Sequence, residues 1–101
     1  MGINNGMRPV HPGEILRDEM EATSVSAKAL SKALDLPVNR VAMILDGRQG
    51  ITADTALRLA RYFGTPPQLW LNLQQTWDLR RAEIEVGPQI AERVTPRKSA
   101  A

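Results

Sequence analysis

The chain predicts an all-α fold: five helices around one small core, with no internal repeat and no low-complexity tract. Three observations carry that reading. Apolar residues recur at spacings of three and four, the period of a helix face. Pro12, Pro37, Pro66-Pro67, Gly47 and Gly64 fall between those periodic stretches, where they start and stop helices. No segment alternates apolar and polar residues well enough to form a core strand. At 101 residues the chain makes one domain with a modest core.

Residues 1–10 read as a flexible arm. A first helix runs from about Pro12 to Ala22, with Pro12 in its first turn and Glu14 and Asp18 near its positive end. Ile15, Leu16 and Met20 form its apolar stripe, and Thr23-Ser24 ends it. His11, beside Pro12, reads as a cap or packing residue. Ser26 caps the second helix through its hydroxyl, and Ala27, Leu30 and Leu34 form that helix's inner face. Asp35-Leu36-Pro37 is a tight break, since proline fits a first turn and not a helix interior. The third helix starts around Pro37 with Val41, Ile44 and Leu45 inward, and Gly47 is its left-handed stop.

Thr52 caps a fourth helix with Asp54 in its first turn and Ala56, Leu59, Ala60 and Phe63 inward; Gly64 ends it. Thr65-Pro66-Pro67 opens a fifth helix expected to reach Glu83, carrying Leu69, Trp70, Leu73 and Trp77. Gly87-Pro88 is expected to break it. Residues 89–94 then form one further helical turn or two, and 95–101 are disordered. The division is an arm at 1–10, a helical domain at 11–83 and a partly ordered tail at 84–101.

The second and third helices, joined by so short a turn, form a helix-turn-helix, which offers its second helix to the DNA major groove. The inward set on the third helix leaves Val38, Asn39, Arg40 and Met43 outward. Base edges are read chiefly from the amino-terminal end of such a helix. Asn39 suits adenine, Arg40 suits guanine, Val38 suits a thymine methyl, and Met43, one turn beyond Asn39, suits a sugar or a thymine methyl. Ser26, Ala27 and Lys28 begin the second helix, where backbone N–H groups receive a phosphate oxygen. Arg48 and Gln49 follow the third helix and complete the expected backbone contacts.

Charge follows the same division. The net charge is only +2. From Pro12 to Ala22, Arg17 stands alone against Glu14, Asp18, Glu19 and Glu21. From Ser26 to Arg61, Lys28, Lys32, Arg40, Arg48, Arg58 and Arg61 outnumber Asp35, Asp46 and Asp54. The basic excess coincides with the motif, as phosphate neutralisation requires.

Other function classes find little support. Cysteine is absent and histidine occurs once, so no disulfide framework, thiolate nucleophile or His-rich zinc site is expected. No nucleophile–base arrangement or Gly-rich phosphate loop occurs. The chain is expected to be no enzyme and to hold no cofactor or metal. No apolar run approaches the ~20 residues of a membrane span, and no secretory signal pattern opens the chain, so a cytoplasmic protein is expected.

Trp70 and Trp77 stand seven residues apart on the fifth helix. Such stripes are more often core than binding surface, yet a domain this small has limited room for both beside Tyr62 and Phe63. Trp70, Leu71, Trp77 and Leu79 are therefore read as candidates for a dimer interface, with core as the alternative for the tryptophans.

Three segments together resemble the HigA-type antitoxins, within the XRE (Cro/C1-type) helix-turn-helix class. They are HPGEIL at 11–16, LPVNRVAMILDGR at 36–48 and ITADTALRLARYFGTPPQLWLNLQQTWDL at 51–79. The resemblance covers residues 8–83. It implies a lambda-repressor-like five-helix domain that dimerises, binds double-stranded operator DNA and represses its own operon. It also implies a partner, a HigB-like, RelE-type toxin that cleaves mRNA. The alternative is a stand-alone regulator of the same class without a toxin. Asp35 departs from the class, which often has glycine at that turn, and Ser31 stands where alanine is usual. The arm and the tail are both open as toxin contacts.

Overall fold

A computed structural model describes residues 8–98. Most of the expected arm, residues 1–7, and the last residues of the tail, 99–101, lie outside the described residues. Within them run α1 (Pro12–Thr23), α2 (Ala27–Leu34), α3 (Val38–Leu45), α4 (Ala53–Phe63) and α5 (Pro67–Arg93), with no strand.

Local chemistry sets most of the ends. His11 caps α1: its Nδ1 accepts the Gly13 N–H at 2.9 Å, while Glu14 accepts the His11 N–H at 3.3 Å, a reciprocal capping box built on a histidine. The Ser26 hydroxyl accepts the Ala29 N–H at 3.1 Å, and Thr52 accepts the Thr55 N–H at 3.2 Å. Chain reversals use left-handed backbone at Ser24, Asp35, Gly47 and Gly64. Glycine enters that region without strain, whereas Asp35, at φ +57°, pays a steric cost there.

The inward faces meet in one core of Leu16, Met20, Leu30, Leu34, Val41, Ile44, Ile51, Ala56, Leu59 and Trp70. Each large apolar side chain buried this way contributes about 1.5–3 kcal/mol. α3 packs on both α1 and α2, α4 on α2 and α5, and α5 returns to α1. The α1–α3 approach is close enough to require glycine: a Cβ on Gly13 would lie 2.1 Å from the Ile44 carbonyl oxygen.

Two expectations are corrected. Gly87-Pro88 does not break the fifth helix, which continues unbroken to Arg93 with Pro88 inside it. Proline restricts the preceding residue partly through that residue's Cβ, and Gly87 has none. The carbonyl left without an N–H donor is that of Ile84, on an exposed stretch open to solvent. Ion pairs of Arg81 with Glu85 and of Arg80 with Glu83 brace the turns just before the proline. The second correction is Trp70. It is 2% exposed, and its indole N–H donates to Thr65 Oγ1 at 3.1 Å, so it belongs to the core and not to a dimer face.

Candidate nucleic-acid interface

The outer side of α3 exists because its inner side is committed. Val41 and Ile44 are each 1% exposed and lie against α1 and α2. With a helical period this turns Val38 and Asn39 outward at the first turn, both exposed, with Met43 half-buried one turn on. At the start of α2, Ser26 is exposed; its oxygen caps the helix and its O–H proton remains for an outside acceptor. Lys28 is exposed as well. Ala27 is half-buried against the core and offers only its backbone.

Beyond α3 the chain turns on Gly47, and the N–H groups of Gly47 and Arg48 close on the carbonyls of Ile44 and Met43 at 3.1 and 2.8 Å. This throws the Arg48 side chain into solvent. Gln49 is half-buried, with its Oε1 out of contact with water and without a hydrogen-bond partner. From α5, Gln74 accepts the Ile51 N–H at 2.7 Å and fastens the end of this loop.

Arg40 departs from the sequence reading. Its Nη2 donates to Thr55 Oγ1 at 3.2 Å, and its Nε is buried without a partner. Thr55 is fully buried in the first turn of α4, so the guanidinium lies across the amino end of that helix with one nitrogen committed. A guanine fork needs two N–H groups on one open edge, and this geometry withholds part of that edge. Arg58 is absorbed further. Its Nε bonds Asp54 at 2.6 Å and its Nη1 bonds the carbonyls of Leu34 and Asp35 at 2.9 and 3.1 Å. It thus closes the carboxyl end of α2, and its hydrogen bond holds the Asp54 carboxyl below the usual range. The basic excess counted along the chain is therefore partly structural.

The remaining dimer candidates separate by exposure. Trp77 is half-buried, edge-on to His11 at 4.7 Å between ring centroids, with the Arg81 guanidinium 5.0 Å from its ring. Leu71 packs against the core. Leu79 alone of the four stands well out, 63% exposed. It lies on a groove of about 560 Å³ between the start of α1 and α5, whose apolar lining is Val10, Ile15, Leu69, Leu73, Trp77 and Leu79. Exposed Val86 and Ile90 prolong the Leu79 stripe along α5 at helical spacing.

A helix-turn-helix family matches residues 16–70, from the middle of α1 to the buried tryptophan of α5. Virulence-associated protein I of Dichelobacter nodosus is 52% identical over 80 residues, which span 78% of this chain and 74% of that protein. An addiction module antidote protein of the HigA family from Coxiella burnetii superposes with a TM-score of 0.86 at 52% identity, covering 90% of this chain and all of that one. This chain belongs to the HigA-type helix-turn-helix family. A second HigA-type structure, the Pseudomonas aeruginosa antitoxin HigA with the higBA promoter, matches with a TM-score of 0.86 at 44% identity over 88% of this chain and 98% of its own. No helix among the described residues of this HigA-type chain is long and apolar enough to cross a membrane.

Sequence reasoning missed Thr55, Gln74 and the second role of His11. Each acts on a partner distant in the chain; the HPGEIL and 51–79 segments contain these residues but gave none of them that role.

Proposed function

We propose that this chain is an antitoxin that binds operator DNA as a homodimer, represses its own operon and neutralises a HigB-like, RelE-type mRNA-cleaving toxin in the cytoplasm. The observation that carries the reading is the exposed amino-terminal side of α3, Val38 and Asn39, on a helix whose opposite side is locked into the core. A relative of the same fold is described with its promoter, which supports the same use here.

In this reading α3 lies in the major groove. Asn39 pairs with an adenine edge, and Val38 and Met43 meet thymine methyls. Ser26, the Ala27 amide, Lys28, Arg48 and Gln49 hold the flanking phosphates. Arg40, tethered to Thr55, approaches the strand from the start of α4 and serves a phosphate better than a base. Two copies joined along the groove lined by Leu69, Leu73 and Leu79 bring two such helices to half-sites about 34 Å apart or a multiple of it. Trp77 lines the same groove, and Leu71 packs against the core.

The test is a binding titration on the DNA upstream of the gene across a salt series. Asn39→Ala is expected to cost about 1–3 kcal/mol and relax specificity at one base pair, whereas Arg40→Ala weakens all sequences alike. Absence of binding even at low salt, where phosphate contacts are strongest, overturns the DNA reading. Co-purification with the product of the adjacent gene tests the toxin. A chain that binds its operator but has no such partner is a stand-alone regulator.

A further inference from the structure

Two side chains from outside the helix-turn-helix close on the loop that follows α3. Gln74 reaches it from α5. Its Oε1 accepts the Ile51 N–H at 2.7 Å, and its Nε2 donates to Asp78 Oδ1 at 2.9 Å, which orients the amide. Gly50 permits the approach, because a Cβ there would lie 2.8 Å from the Gln74 amide. His11 packs against the same loop from the start of α1, 7% exposed. Its Nδ1 is occupied by the Gly13 N–H, so the neutral ring carries its proton on Nε2, and the ring faces the Gln49 backbone. A Cβ on Gly47 would lie 3.8 Å from the same ring. α3 carbonyls take the N–H groups of residues 47, 48 and 49, and beyond them the loop rests on groups from α1 and α5.

We propose that His11 and Gln74 are positioning residues for DNA binding, holding the 47–51 loop where the Arg48 side chain meets a phosphate while α3 occupies the groove. The proposal rests on the operator-binding reading and adds residues that never touch the DNA. A loop fastened before the DNA arrives has already lost the conformational freedom that an unfastened loop must lose on binding. The fastening also ties the phosphate contact to α5, the helix that carries the proposed dimer surface. The spacing between the two loops of a dimer is then set by the same helix.

The experiment compares full-length wild type, Gln74→Met and the double variant Gln74→Glu/Asp78→Asn in operator titrations from low to high salt. The double variant exchanges donor and acceptor between the two side chains while leaving the net charge unchanged. Gln74→Met is expected to weaken operator binding roughly 5- to 20-fold and to lower the salt slope by about one, as one phosphate contact is lost. The double variant is expected to restore both. Should Gln74→Met fail to fold, His11→Asn makes the same comparison, because its amide oxygen still caps α1 but is too short to reach Gln49. A folded Gln74→Met with wild-type affinity and slope overturns the proposal. So does weaker binding with an unchanged slope, which marks a purely structural role. Failure of the wild type to bind at any salt instead removes the operator reading itself, and the positioning role with it.

Discussion

Replacing Gly13 by alanine sets a methyl carbon 2.1 Å from the Ile44 carbonyl oxygen and 3.0 Å from its carbon. Ordinary contact begins near 3.4 Å, so α1 and α3 must separate by about 1.3 Å at this point. The obstacle is helix backbone on both sides, so no rotamer change relieves it. Separation lifts Leu16 and Met20 away from Val41 and Ile44, in the centre of the core. Overpacking of this kind costs about 1–3 kcal/mol, and the rigid neighbour puts Gly13→Ala at the upper end. Alanine's better helix propensity returns less than about 1 kcal/mol. The net loss expected is about 2 kcal/mol, a large part of the 5–15 kcal/mol typical of a domain. For a domain of this size it lowers Tm by roughly 8–16 °C. Thermal and urea unfolding followed by circular dichroism measure it. A Tm equal to or above that of the wild type would refute the close α1–α3 approach on which the argument rests.

Other perturbations follow from the same geometry. Trp70→Ala removes a core side chain and the donor to Thr65, and is expected to cost about 3–5 kcal/mol in urea unfolding; a loss below 1 kcal/mol would return Trp70 to the surface. Asp35→Gly relieves a left-handed residue at φ +57° and should stabilise the fold by about 0.5–1 kcal/mol, so a lower Tm counts against that strain. Burial lowers the His11 pKa from 6.5, so the unfolded chain takes up the proton first as pH falls. Stability that is present above pH 6.5 is lost below it, and His11→Asn should flatten that part of the curve. Glu14, held down to about 2 by its hydrogen bond to Arg8, adds a second loss as pH falls from 4.5 towards 2. Leu79→Asp should convert a dimer to monomers in sedimentation equilibrium with little change in monomer unfolding, and an unchanged mass removes Leu79 from the interface.

The parts legible in the sequence are those decided by neighbours within a turn or two. The Ser26 and Thr52 caps, the Gly47 and Gly64 stops and the break at Pro37 each depend on hydroxyl reach, left-handed backbone or a missing N–H. The same locality explains the misreading at Gly87-Pro88. Proline's cost in a helix is known from its own ring, but whether the helix survives depends on solvent exposure and on bracing by the Arg81–Glu85 pair.

The sequence by itself determined the five helices of the described residues, where most of them start and stop, and which side of α3 turns inward, because helical periodicity and capping act over three or four residues. Tertiary structure decided which side chains stay free around the helix-turn-helix. Arg58 is claimed by carbonyls at Leu34 and Asp35, Arg40 by Thr55, and Trp70 by the core. It also decided that His11 and Gln74 stand behind the loop after α3, Gln74 reaching Ile51 from 23 positions along the chain. Such contacts depend on where whole helices pack, and no local spacing in the chain encodes that.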